Sequence, residues 1–387
     1  MRTLIHSVQV HGSDADWLLI EDGLVRETGK GDAWRSTAGL DGVDAAVVDG
    51  AAVAGEGALL APGFIDLHTH GGGGFAHEEG ADAIRSAREF HRRHGTTSAV
   101  VSLVTDSADL LAERVAEIAG LAGELGGGEL GILGSHLEGP FLSDARRGAH
   151  DASQLRAPDA VLQRLLEAGS GTVRQVTLAP ELDGGLDAVR AIVDAGAVCA
   201  IGHTEADRDL TARAFDAGAT LLTHAFNAMA PLLHRSPGPV GAALSDDRVV
   251  IELIADGVHV HPDLLRMVFA AAPGRVALVT DAMVAAGAAD GDYVLGSLDV
   301  VVTDGVARLR EGGAIAGSTL TQDAAVRQAV AAGVPVSDAI AAVTTTPARV
   351  LGVDLGILSA GRAADAVLLT SDLQVRAVWS AGEAVAL

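Results

Sequence analysis

The chain is poor in lysine, cysteine and aromatic residues, and each shortage narrows what it can be. Cys199 is the only cysteine in 387 residues, so no intrachain disulfide can form. Its flank, Val198-Cys199-Ala200-Ile201, reads as buried strand, which makes it a packing residue. Lys30 is the only lysine. A bound anion must therefore be held by arginine, histidine or backbone N–H groups. Basic charge is scarce overall, and the formal net charge is -24. That balance argues against nucleic acid and anionic membrane surfaces as partners. No run of about 18 uninterrupted apolar residues occurs, so no membrane-spanning helix is expected. The opening Met1-Arg2-Thr3-Leu4-Ile5-His6 lacks the apolar stretch of a signal peptide. Together these features predict a cytoplasmic protein.

What is present is a chain that is 49% hydrophobic, with aromatics at only 3% and a bias towards Ala, Gly and Val. The length suggests one large α/β domain plus something small. Residues 1–61 are short β-like pieces (Leu4–Val10, Trp17–Ile20, Leu24–Glu27, Ala45–Val48) separated by Gly and Asp. After Pro62 strand-like runs alternate with helix-like stretches. Eight runs are expected as strands: Phe64–Leu67, Ser98–Val104, Gly131–Ser135, Val173–Leu178, Val198–Ile201, Thr220–Leu222, Val249–Ile254 and Val276–Val279. Helical candidates between them include Ala81–His94, Ala108–Leu125, Pro158–Ala168, Leu186–Ala195, Ala206–Ala217 and Pro262–Ala271. This alternation predicts a (β/α)8 TIM-type barrel over 62–345, with strands apolar on both faces. Tyr293–Leu309 returns to short β pieces. Helices are expected again at Leu320–Ala332 and Val336–Val343. Residues 346–387 carry β segments that should pair with 1–61 in a small β-sandwich domain built from both chain ends.

The first barrel strand closes on His68-Thr69-His70. Residues i and i+2 of a strand point to one side, so both imidazoles can grip one ion. In a barrel the C-terminal strand ends converge on one mouth. There the third strand brings Glu138, the fifth His203, the sixth His224 and the eighth Asp281. Singly, each has a plain structural role as a cap or a satisfied core group. Jointly, five strand ends aim four histidines and two carboxylates at one mouth. Imidazole with carboxylate suits Zn²⁺ or Fe²⁺ better than Ca²⁺ or Mg²⁺. The count allows one ion, or a pair bridged by a carboxylate. His77, His91 and His94 read as helix-surface groups. His136 reads as support behind the ligands, and Glu181 as an orienting group or a helix cap.

The segments PGFIDLHTHG, HLEGPF, RGAH, IGHT, THAFNAM, PGPVG, IADGVHV, LVTDAM and AGSTLT resemble the N-acetylglucosamine-6-phosphate deacetylases of the amidohydrolase superfamily. The resemblance runs from about residue 55 to the C-terminus, including LGILSAGRAADAVLL. It implies a metal-dependent hydrolase that converts N-acetylglucosamine 6-phosphate to glucosamine 6-phosphate and acetate. The alternative is an amidohydrolase for another N-acetyl amino sugar phosphate or a cyclic amide. The resemblance implies Glu138, His203 and His224 as core ligands, with His68 and His70 completing a second site. Relatives that bridge two metals through a carbamylated barrel lysine offer no precedent, because Lys30 precedes the barrel. Glu138 is the natural replacement. Asp281 matches the general base that takes the proton from the attacking water and delivers it to the leaving amine. His150 matches a histidine that stabilises the developing oxyanion. Asn227 and Ala228 match donors to the sugar phosphate. Arg235 and His259 match phosphate contacts that reach the neighbouring active site across a homodimer interface.

Overall fold

The computed structural model describes residues 2–36, 45–122 and 129–387. Eight strands form one parallel sheet in sequence order. They are β1 (Phe64–Thr69), β2 (Thr96–Leu103), β3 (Ile132–Glu138) and β4 (Val173–Leu178). They continue with β5 (Val198–Ile201), β6 (Leu221–Leu222), β7 (Val250–Ile254) and β8 (Val276–Val279). All eight expected runs are strands. The helices that return the chain are α1 (Ala81–Arg93), α2 (Ala108–Leu121), α3 (Ala160–Ala168) and α4 (Gly185–Asp194). Next come α5 (Arg208–Asp216), α6 (Gly238–Leu244), α7 (Pro262–Ala271) and α8 (Gln322–Ala331). Local chemistry sets several starts. Ser107 caps α2 through Leu110 N–H at 3.4 Å, and Asp207 caps α5 through Leu210 N–H at 2.8 Å. The sequence pattern did not reveal α6, because it is two turns long and opens on Gly238-Pro239.

The barrel closes unevenly. At the mouth, Asp281 N–H donates to His68 O and His70 N–H to Ala282 O, both at 2.8 Å. At the other end β1 and β8 part. Ile65 N–H and Leu278 N–H turn to Val343 O and Ala342 O, at 2.8 and 2.9 Å. The Gln322 amide spans the gap, donating to Ile65 O at 3.2 Å and Leu278 O at 3.1 Å. The side chain of α8 thus replaces missing strand pairing, which leaves the mouth as the tightly fixed end.

The two chain ends join in small sheets, as expected. One sheet orders Leu24–Gly29, Trp17–Glu21, Arg2–His6 and Ala45–Asp49. The other orders Gln9–Val10, Leu59–Pro62, Ala366–Leu369, Val375–Ser380 and Glu383–Val385. Ile5, Val10, Leu18, Leu60, Leu368 and Trp379 share their common core. A third, antiparallel sheet (Gly291–Leu295, Leu298–Thr303, Val306–Leu309) is inserted between β8 and α8. It packs Leu295, Val300 and Val302 against Val104 and Met283 beside the mouth.

Two expectations need correction. The barrel interior is not apolar: Asp66, Ser102, His136, Gln175, Thr177 and Glu252 are buried there as a polar band. His77 and His91 are not surface groups but fully buried. His91 Nε2 donates to Gly71 O at 2.8 Å, and burial pushes the pKa of both rings down to about 3. They fall on the side of the chain that packs under the β1 loop. Cys199 is buried as expected, and burial pushes its thiol pKa up. No helix among the described residues is long and apolar enough to cross a membrane.

Candidate metal centre

Strand periodicity delivers the site. Asp66, His68 and His70 alternate with outward residues along β1, and His136 and Glu138 do the same in β3. His203, His224 and Asp281 each stand two residues beyond their strands. Their backbones are left-handed, with φ of 48°, 26° and 49°. Such a conformation costs about 1–3 kcal/mol for a non-glycine residue, and only surroundings that over-determine it keep it. Here they do: Ser143 N–H donates to His203 O at 3.0 Å, and Asn227 N–H to His224 O at 3.1 Å. Ser318 N–H donates to Asp281 O at 2.7 Å. Gly317, at φ 61°, lies so close that a Cβ there would sit 3.0 Å from Asp281 O.

Glu138 lies between two clusters. Its Oε1 is 3.0 Å from both His203 Nε2 and His224 Nε2, which are themselves 3.0 Å apart. His203 Nδ1 donates to Arg146 O at 2.8 Å, which leaves Nε2 as the ring nitrogen facing inward. Two imidazole nitrogens and one carboxylate oxygen, each 3.0 Å from the others, are a donor set that a divalent cation would satisfy. On the other side, Glu138 Oε2 is 3.1 Å from His70 Nε2 and 3.4 Å from His68 Nε2. Asp281 Oδ1 is 3.4 and 3.5 Å from the same two nitrogens. The residues present fit one divalent cation, or two bridged by Glu138.

The electrostatics agree. Burial opposes charge on His68 and His70. Glu138 and Asp281 outweigh it, lifting His68 well above the usual imidazole range and His70 to about 9. Burial likewise opposes charge on the carboxylates, yet His68 and its neighbours hold Glu138 well below its ordinary range and Asp281 near 2. The mouth is built to hold positive charge. His150 differs. Its Nδ1 accepts the Thr105 N–H at 3.2 Å, which leaves its proton on Nε2, 3.4 Å from Glu138 Oε2. Burial lowers its pKa to about 4, so it is a neutral donor facing the site.

Behind these side chains lies support that sequence reasoning only partly found. His136 bridges Ser102 Oγ and Thr177 Oγ1, both at 2.9 Å, and takes the supporting place expected of it. Glu181 accepts Thr204 Oγ1 at 2.5 Å and Glu205 N–H at 2.6 Å, fixing the turn that carries His203. Asp66 and Glu252 were missed. Asp66 accepts Thr280 Oγ1 at 2.6 Å and His68 N–H at 3.2 Å. The available signal was an acid inside an otherwise apolar buried strand.

A cavity of about 310 Å³ opens over the clusters, with His150, Asn227, Ala228, His259 and Asp281 among its lining. Val104, Leu295 and Ile315 give it an apolar wall. Arg146 is the arginine of the lining among the described residues, and its guanidinium is paired with Glu205. His259 lines the pocket of its own chain, because Asp256 Oδ1 gathers the N–H groups of Val258 and His259, both at 2.8 Å, and curls the turn inward. Asp256 Oδ2 also holds His259 Nδ1 at 2.7 Å. Arg235 lies outside this pocket, exposed on a tight turn in which Leu233 and Ser236 exchange backbone bonds.

Residues 59–385 match the family model described as the amidohydrolase family. The chain is 41% identical over 330 residues to the N-acetylgalactosamine-6-phosphate deacetylase of Escherichia coli O157:H7, covering 84% of this chain and 87% of that protein. It is 38% identical over 344 residues to the N-acetylglucosamine-6-phosphate deacetylase of Bos taurus, covering 85% and 84%. Among solved structures it resembles the N-acetyl-D-glucosamine-6-phosphate deacetylase of Mycobacterium smegmatis, a mutant in complex with N-acetyl-D-glucosamine-6-phosphate. That match has a TM-score of 0.90 and 42% identity over 100% of this chain and 99% of the other. The Pasteurella multocida N-acetylglucosamine-6-phosphate deacetylase matches with TM-score 0.90 at 26% identity, over 100% of both chains.

Proposed function

The chain belongs to the amidohydrolase family, and on that footing we propose that it deacetylates N-acetylglucosamine 6-phosphate, releasing glucosamine 6-phosphate and acetate. The observation that carries this reading is the carboxylate of Glu138 set between two imidazole clusters, with Asp281 and His150 facing the same cavity. His203, His224 and Glu138 Oε1 would hold one ion. His68, His70, Glu138 Oε2 and Asp281 would hold a second, with Zn²⁺ or Fe²⁺ the best match to this donor set. A divalent ion bound there polarises the amide carbonyl and lowers the pKa of water towards about 7. Asp281 is ionised and accepts the proton of the attacking water at its carboxylate. It returns that proton to the amide nitrogen as the C–N bond breaks. His150 donates its Nε2–H to the carbonyl oxygen as negative charge develops.

Asn227 and Ala228, on the loop after β6, line the cavity where the sugar phosphate would lie, and His259 faces it from the turn after β7. Arg235 serves the phosphate of a neighbouring subunit in a homodimer. This is supported by its exposure beside Leu233, itself 52% exposed, and by its place outside its own pocket. Arginine suits that role through its bidentate fork. A second reading, the galacto epimer as substrate, is favoured by the 41% identity to the Escherichia coli relative. Acetate release by metal-loaded protein, run in parallel on both 6-phosphates and on N-acetylglucosamine, tests all of this. Chelator-sensitive release from a 6-phosphate alone is expected. Equal release from the unphosphorylated sugar would refute the phosphate site, and no release from any would refute the activity.

A further inference from the structure

Glu252 is absent from the ligand set, yet it faces a ligand from behind. It lies on β7 and is fully buried in the polar band beneath the mouth. Its Oε1 accepts Gln175 Nε2 at 3.1 Å. Its Oε2 accepts the His224 backbone N–H at 3.3 Å and stands 3.5 Å from His68 Nδ1. That nitrogen makes no hydrogen bond, and His68 is itself fully buried. The other nitrogen of the ring, Nε2, faces His70, Glu138 and Asp281 at 3.0, 3.4 and 3.5 Å.

A neutral imidazole carries one proton, and the nitrogen that carries it cannot ligate. Which nitrogen is free therefore depends on what the other one meets. We propose that Glu252 is a positioning residue that keeps the His68 proton on Nδ1, frees Nε2 for the second ion, and so decides that a subunit carries two ions rather than one. This rests on the reading of the two clusters as a metal centre. The chemistry of Glu252 supports it. A carboxylate buried in the barrel gains only partial compensation from one side-chain amide and one peptide N–H. The imidazole facing it supplies the third donor, and a carboxylate behind a ligating histidine both fixes its tautomer and raises its basicity. In the first cluster the Arg146 carbonyl fixes the His203 tautomer at 2.8 Å, and Glu252 meets His224 through its peptide N–H rather than its ring.

The variant Glu252→Leu tests this. Leucine offers no acceptor, so His68 Nδ1 loses the carboxylate it faces. The His68 proton then moves to Nε2 and the second ion is lost. Zinc per subunit is measured by mass spectrometry after dialysis at graded free zinc. Wild type should hold two ions and Glu252→Leu one, the second binding about 10–100-fold more weakly. An unchanged second affinity in the variant, or a single ion in wild type, overturns the proposal. A measurement on wild type alone covers a variant that fails to fold. In zinc-loaded protein with ¹⁵N-labelled histidine, His68 should appear as the Nδ1–H tautomer; the Nε2–H tautomer overturns the proposal. Wild-type protein that binds no divalent ion would be a different failure, removing the metal centre itself and this inference with it.

Discussion

Replacing Asp281 by asparagine tests the chemistry most directly, because the structure separates its possible roles. Its peptide is fixed by His68 O and Ser318 N–H, at 2.8 and 2.7 Å, so an isosteric side chain should occupy the same place. The triangle of His203, His224 and Glu138 Oε1 does not include it, so one ion should remain. The second cluster should weaken. A unit charge 3.5 Å from a neighbour is worth about 5 kcal/mol at an effective dielectric near 20. That is an upper bound on the loss, and saturating metal in the assay offsets it. What metal cannot restore is proton transfer, worth about 10²–10⁴-fold in rate, or about 3–5 kcal/mol of barrier. Acetate release at saturating metal and substrate should fall by that factor, with at least one ion per subunit retained. A turnover within tenfold of wild type would remove Asp281 from the base role. Loss of both ions would make it a ligand first and a base second.

Three further outcomes are expected. Glu138→Ala removes the carboxylate that faces both clusters and should leave the protein nearly metal-free by elemental analysis; full occupancy would refute the proposed ligand role. Arg235→Ala should lower kcat/KM on the 6-phosphate by about 10–100-fold, the loss of one or two charge-assisted hydrogen bonds, and leave N-acetylglucosamine unchanged; matching losses on both would sink the phosphate assignment. Burial raises the Asp66 pKa from 3.8 to about 6. A raised folded pKa favours the neutral form, so its stabilising contribution is full below about pH 4 and lost as pH rises through 6, about 3 kcal/mol in all. Asp66→Asn should flatten that part of the stability profile in denaturant titrations of metal-free protein. Identical slopes for variant and wild type would show that Asp66 is not the group responsible.

Much of the site was legible because strand geometry is periodic. His68 and His70 share a face by their spacing alone, and Glu138, His203, His224 and Asp281 follow apolar runs whose ends must meet once the strands close into a barrel. The eight strands were readable for the same reason: an apolar run between helical stretches has few other uses. The buried histidines were not. His77 and His91 sit in a polar, helix-like stretch, and nothing local distinguishes a ring that packs under the β1 loop from one in water. Asp66 and Glu252 were hidden by the opposite effect, since the apolar runs around them announce strand and give no partner for an acid.

The sequence by itself determined the architecture, the donor atoms and their approximate convergence, because these depend on local periodicity and residue chemistry. Tertiary structure alone decided how they are shared. Only the folded barrel sets one oxygen of Glu138 against each pair of histidines, turns His259 into its own pocket and leaves Arg235 outside it. It also places Glu252 behind His68, across 184 positions of chain. Such distances of 3 Å between residues far apart in sequence are set by strand register and by left-handed turns at three strand ends, and these emerge only when the whole sheet closes.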